Sequence, residues 1–191
     1  LDWVVNSTFF SNQGATSTGT ATFSDDSLTY GSYNLVVTAT DSDGLTDVDQ
    51  LNFTVNGIPT APSISINPVN PVTSEVLMVT IASPSIDPEG VTPTYTYQWQ
   101  LGGLTQSLFT SNSIPSSATS KGEQWTVIVT PNDGLVNGTP GSASVVIGNT
   151  APTVSNVTIA PNTAVNNDSV LSCGANAIDP DEIPTLSFQW T

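Results

Sequence analysis

The sequence predicts an all-β protein, and three observations carry that prediction. Strand-length runs of aromatic or β-branched residues alternate with polar ones, as in Thr94-Tyr95-Thr96-Tyr97-Gln98-Trp99. This is the period of two that a strand with one buried face imposes. Asp-Gly and Asn-Gly turn signals punctuate the runs at Asp43-Gly44, Asp133-Gly134 and Asn137-Gly138. No window sustains the 3.6-residue period of an amphipathic helix.

The elements follow in order. Tyr33–Thr40 is a β-branched run running into the Asp43-Gly44 turn. Strands are expected near Ser63–Asn67, Val76–Ala82, Thr94–Gln100, Ser107–Ser111, Glu123–Thr130 and Ser142–Ile147. About seven short strands in about 90 residues, with a tryptophan on the third, fit an antiparallel sandwich of immunoglobulin type. Trp99 is expected to pack across that core against Ile81 and Val127.

The chain also repeats itself. Thr60-Ala61-Pro62 returns as Thr150-Ala151-Pro152, and Thr40-Asp41-Ser42-Asp43-Gly44 answers to Thr130-Pro131-Asn132-Asp133-Gly134, both 90 residues later. Ile86-Asp87-Pro88-Glu89 matches Ile178-Asp179-Pro180-Asp181, and Tyr97-Gln98-Trp99 matches Phe188-Gln189-Trp190. Landmarks in constant order at near-constant spacing indicate tandem domains. The expectation is therefore one complete immunoglobulin-like β-sandwich at 57–148, flanked by the end of a repeat at 1–56 and the start of another at 149–191. Both ends fall within a repeat, as expected of a segment of a longer polypeptide.

Composition bounds the function. The chain of 191 residues has 16 acids, one base and no histidine, a formal charge of −15, yet only 9% of its residues are charged. Its 37% hydrophobic content suffices for a core. Nucleic acid and anionic lipid are disfavoured as partners, because both need a basic footprint. No apolar run reaches the roughly 18 residues of a membrane span. With one lysine, one cysteine and no histidine, most nucleophile, general-base and soft-metal chemistry lacks a side chain to run on. The best enzymatic arrangement left is a carboxylate pair such as Asp25-Asp26 or Asp179–Asp181, but adjacent loop acids are ordinarily solvated, and no aromatic sugar platform surrounds them. Ser and Thr number 52, a hydroxyl-rich surface associated with extracytoplasmic proteins.

With these motifs in hand, the chain resembles the tandem Ig-like repeats of bacterial and archaeal cell-surface proteins. The resemblance rests on Asn149-Thr150-Ala151-Pro152, Asp179-Pro180-Asp181, Tyr97-Gln98-Trp99, Lys121-Gly122-Glu123 and the run from Val127 to Gly134. The first repeat, with Gly31-Ser32-Tyr33-Asn34-Leu35-Val36-Val37-Thr38 leading to Asp41-Ser42-Asp43-Gly44, is similar to PKD-type or cadherin-like repeats. The resemblance implies a non-enzymatic extracellular or cell-surface role as a rod, filament, stalk or surface coat. An adhesin or carbohydrate-binding stalk, or a spacer of a secreted hydrolase, is the alternative. Partners would be other copies of the chain or neighbouring repeats.

Several residues are candidates for sites. In an Ig-type sandwich the loops carrying Asp87, Glu89 and Asp133 should meet the incoming linker at Gly57–Pro62. Asp179, Asp181 and Glu182 should likewise meet Gly148–Pro152. Carboxylates converging on a linker suit a hard cation, and calcium is the expected ion. The opposing reading is that Asp-Gly and Asp-Pro simply form turns, and Asp41 and Asp43 are the same case with less context. Asn6, Asn52, Asn137, Asn156 and Asn167 begin Asn-x-Ser/Thr triplets, about the number chance predicts, so glycans are permitted and no more. Cys173 aligns with Ile81 and would be either a buried thiol or half of a disulfide whose partner lies outside the segment. Lys121, the single base, sits in a Ser-Lys-Gly-Glu turn where a solvated role is expected in preference to an isopeptide crosslink.

Overall fold

The structure, a computed structural model, describes residues 2–5, 8–11 and 28–191. Asn6 and the Asp25-Asp26 pair lie outside the described residues. Thirteen strands are present among the described residues, and the helical content there is one 3₁₀ turn, Ser116–Ala118. The chain divides into two compact units. One comprises residues 1–61, 85–94 and 131–139; the other comprises 62–84, 95–130 and 140–191.

In the first unit, strands β1 (Asp2–Val5), β2 (Thr8–Ser11), β3 (Gly31–Thr40) and β4 (Thr46–Val55) form an antiparallel sheet in the order β2-β1-β3-β4. The β3–β4 hairpin is ten pairs long, from Gly31↔Val55 to Thr40↔Thr46. Tyr33 and Phe53 stand opposite each other, and their rings stack with centroids 5.5 Å apart. Asp41 closes the hairpin: its Oδ1 accepts the Asp43 and Leu45 amides at 3.0 and 2.8 Å. The chain can then turn through Gly44 at φ +85°.

The sandwich is built from β5 (Ser63–Asn67), β6 (Leu77–Ser83), β7 (Thr94–Leu101), β8 (Leu104–Thr105), β9 (Ser113–Ile114), β10 (Gln124–Asn132) and β11 (Gly141–Val146). Its two sheets run β5-β6-β9 and β11-β10-β7-β8. This is the A-B-E and G-F-C-C′ arrangement of an immunoglobulin-like sandwich. The core draws on both sheets: Ile66, Leu77, Val79 and Ile114 from the first, Trp99, Trp125, Val127, Val129 and Val145 from the second, with Ile147 just beyond β11. Alternation does this work. Along β10, Trp125, Val127 and Val129 are buried while Thr126, Ile128 and Thr130 between them are not. Trp99 and Trp125 meet edge-to-face at 6.4 Å, and Phe109 meets Trp125 likewise at 5.8 Å. The Trp99 indole N–H donates to Ser111 O at 2.9 Å, which satisfies its polar atom inside the core.

Two details depart from the sequence reading. The strand expected at Ser107–Ser111 forms instead at Ser113–Ile114, because Ser111 is taken by Trp99 and Asn112 O accepts the Val79 amide. Ile81 is only half-buried, since the β5–β6 register shifts beside it, between Ser63 and Ile64. Leu77 and Val79 are the buried residues of β6.

Strands β12 (Thr153–Ala160) and β13 (Ser172–Ile178) form a separate two-stranded antiparallel ladder. It carries exposed apolar side chains, among them Val154, Val157 and Ile178, and exposed Phe188 and Trp190 follow it in the chain. Cys173, paired in register with Ile159, is a free and exposed thiol, so the buried-thiol reading is corrected. A two-stranded ladder packs too little around Cys173 to cover it.

Candidate functional site

The predicted acids gather at two linkers, and at each one the side-chain oxygens bind the main chain of the linker directly. In the first unit, the segment after β4 runs through Asn56, Gly57 and Pro59. Glu89 Oε2 accepts the Gly57 amide at 3.0 Å, and Asp133 Oδ2 accepts Asn56 Nδ2 at 2.8 Å. Thr60 and Ile86 exchange two hydrogen bonds, Thr60 N to Ile86 O at 2.9 Å and Ile86 N to Thr60 Oγ1 at 2.8 Å. The Thr139 amide donates to Pro59 O at 3.0 Å. Gly57 is required here on steric grounds: a Cβ at this position would lie 2.6 Å from Pro88 Cγ.

Asp87 is the anomaly of this cluster. It is 5% exposed, and its Oδ2 is buried without a hydrogen-bond partner. Burial pushes the Asp87 carboxyl above the ordinary carboxylate value, and the nearby negative charges of Glu89 and Asp133 push it the same way, against the Glu89 N–H bond. Asp133 behaves oppositely. The hydrogen bond from Asn56, then those from the Val136 and Leu135 amides, hold it below the ordinary value.

In the second unit, the acid that binds the linker after β11 is Asp181. Its Oδ2 accepts the Thr150 amide at 2.6 Å, and its Oδ1 accepts the Thr73 hydroxyl. These two bonds, Thr73 first, hold Asp181 below the ordinary value, and the Lys121 charge adds to them. Lys121 Nζ lies 3.7 Å from Glu182 Oε1, so the chain's single base serves this linker, with both side chains largely in solvent. Thr150 Oγ1 accepts the Ser74 amide at 3.2 Å, and the Gly148 amide donates to Pro71 O at 2.7 Å. Asp179 is spent on its own turn, with Oδ1 accepting the Asp181 and Glu182 amides.

The sequence pointed to the acids and passed over their partners. Asn56 and Thr73 carry no motif, and Thr150 stands in the repeated Thr-Ala-Pro landmark with nothing to mark it as a partner; the Asn-Gly pair at 56–57, at the end of a strand, is the local sign of a tight approach. Among the described residues, no three acidic or cysteine side chains come together closely enough to hold a metal ion. Of the triplet asparagines, Asn52 accepts from Asn34 across the β3–β4 hairpin at 2.7 Å, and Asn137 accepts from Asn132 at 2.7 Å. Asn156 sits exposed at φ +54° where the β12–β13 register shifts, and Asn167 is exposed in a turn.

Fold and linker chemistry define a class: an immunoglobulin-like β-sandwich in a chain whose linkers are bound by carboxylates. No family model matches the chain, and no curated protein matches it. Among solved structures, Clostridium thermocellum CbhA fibronectin(III)-like modules align over 77% of this chain and 76% of theirs, at 18% identity and a TM-score of 0.34. No helix among the described residues is long and apolar enough to cross a membrane.

Proposed function

We propose that this chain is a length of an extracellular or cell-surface structural protein. Its immunoglobulin-like repeats, PKD-type or cadherin-like in the first, are joined by linkers stiffened through direct carboxylate-to-backbone bonds. It acts without catalysis, as part of a filament, stalk or coat. The observation that carries this reading is that Glu89 and Asp181, at equivalent places in successive sequence repeats, each accept a linker amide, Gly57 in one and Thr150 in the other. Linkers of a few residues with Pro59, Pro62 and Pro152 have little slack to begin with. Each charge-assisted bond removes more of it. The test is amide hydrogen exchange: Gly57 and Thr150 should exchange as slowly as strand amides, and exchange at loop rates would sink the proposal.

A second reading, calcium at the first linker, is favoured by the unpartnered buried oxygen of Asp87 beside Glu89 and Asp133. The fit is partial. Asp133 already accepts from Asn56, Leu135 and Val136, and Glu89 from Gly57. An ion would have to recruit Asp87 and draw Glu89 away from its amide. Melting with and without a chelator tests it, since calcium binding only the folded state must raise Tm. An unchanged Tm at millimolar calcium removes this reading and leaves the direct-bond one standing.

A further inference from the structure

Asn56-Gly57, at the entry to the first linker, is a dipeptide with chemistry of its own. In an Asn-Gly pair the glycine amide nitrogen can attack the asparagine Cγ, because no side chain on the second residue hinders the approach. The Cγ–Nδ2 bond breaks, ammonia leaves, and a succinimide ring remains. Water then opens the ring at either carbonyl and yields aspartate or isoaspartate. Nothing but water is consumed, so the reaction waits only on the nitrogen reaching Cγ in an attacking geometry.

Every group that must move is occupied in the closed linker. The nucleophile, the Gly57 amide, is buried and donates to Glu89 Oε2 at 3.0 Å. Negative charge on that N–H opposes the loss of its proton, which the attack requires. The leaving group is tied as well. A carboxamide nitrogen has two protons, and Asn56 Nδ2 donates to Asp133 Oδ2 and to Gly57 O, both at 2.8 Å. Gly57 has no room to swing, since Pro88 packs where a Cβ would stand. Asn137-Gly138, the other Asn-Gly pair in the sequence, is held by neutral partners: the Gly138 amide donates to Pro131 O at 2.8 Å, and Asn137 Oδ1 accepts from Asn132 at 2.7 Å.

We propose that Asn56-Gly57 is a self-modification site that Glu89 and Asp133 keep silent while the linker is closed, an inference that rests on the linker bonds proposed above. Local opening of the linker frees the Gly57 nitrogen and the Asn56 carboxamide together. Reaction then puts a carboxylate where Asp133 had a donor, in a cluster that already holds Glu89. The isoaspartate product also inserts an extra carbon into the main chain. The linker cannot close again on the same bonds, so a transient opening becomes permanent.

The test follows Asn56 and Asn137 by peptide mass spectrometry while the full chain ages at neutral pH, folded and in urea. In the folded wild-type chain Asn56 should convert more slowly than in urea by about tenfold or more, the factor that about 1.4 kcal/mol of closure confers. Glu89→Ala should bring Asn56 close to its rate in urea, and Glu89→Gln, which keeps a neutral acceptor, should fall between. Circular dichroism should show both variants folded, and Asn137 should keep its wild-type rate in each. Asn56→Asp, which installs the product, should lower Tm and speed exchange at the Gly57 amide. Equal conversion of Asn56 in the folded and unfolded chain overturns the proposal, as do Glu89 variants that leave its rate unchanged or raise Asn137 equally. An Asn56→Asp chain as stable as wild type, with Gly57 still slow to exchange, overturns the permanent opening. Slow exchange at Gly57 beside an unprotected Asn56 defeats this inference alone, whereas fast exchange there defeats the linker reading itself.

Discussion

The two linkers solve one problem with opposite electrostatics. At the second, Asp181 is ionised, doubly bonded and accompanied by the chain's single positive charge. At the first no basic side chain takes part, and Asp87, with one oxygen buried and unpartnered, feels the negative charges of Glu89 and Asp133. The second linker is therefore at ease at neutral pH, while the first carries a standing electrostatic cost. Equivalent sequence positions, Ile-Asp-Pro-Glu and Ile-Asp-Pro-Asp, do not guarantee equivalent chemistry. The first acid of the pair caps its own turn in both repeats, accepting the amide two residues on, but Asp87 is buried with its second oxygen unpartnered whereas Asp179 is only half-buried.

The sharpest way to break this contrast is steric. Gly57→Ala would drive a methyl group to 2.6 Å from Pro88 Cγ, whereas at Gly148 the nearest atom, Pro71 O, is 3.3 Å away. Urea unfolding should show Gly57→Ala costing about 1–3 kcal/mol, as overpacked sites do, and Gly148→Ala clearly less. Equal effects would show that the two linkers are packed alike.

A smaller effect separates the linkers by pH. Asp181 has a folded value below 3.8, so its contribution is present above that value and is lost as pH falls through the folded one. Asp87 has a folded value above 3.8, so folding favours its protonated form, and that advantage is lost as pH rises through the raised value. Asp87→Asn should therefore raise Tm at pH 7, and Asp181→Asn should lower it. Both differences should shrink in acid. A drop in Tm for Asp87→Asn at pH 7 would mean that the ionised carboxylate has a partner, with calcium the first to test.

The smallest effect belongs to the ion pair. Lys121→Met removes an exposed contact at 3.7 Å, and exposed pairs contribute at most about 1 kcal/mol. Its Tm change should vanish in high salt.

How much of this was legible in the sequence depends on range. Periodicity and turn pairs gave the strands, since alternation is a local property, and Trp99 was recognisable from its place on the third strand. Trp125 was not singled out, although it buries as completely as Trp99 and makes two edge-to-face contacts. It belongs to a strand whose Val127 drew the attention. Strand β8 is only two residues long and is defined by its pairing with Gln100 and Leu101, not by any pattern of its own. The acids were legible because turn chemistry confines Asp to a few places. Their partners Asn56 and Thr73 lie 77 and 108 residues away in the chain, and nothing local marks a hydroxyl or an amide as the receiving end of such a bond.

The solitary lysine has one further consequence. Trypsin cuts after lysine and arginine, and this chain offers it a single bond, Lys121–Gly122, in an exposed turn ahead of β10. A cut there leaves β10 and β11 hydrogen-bonded and packed into the core with β6 and β7. Even when nicked, the sandwich has every strand it needs to stay assembled. A surface that gives up its basic residues thereby sheds nearly all of its targets for one of the commonest digestive specificities.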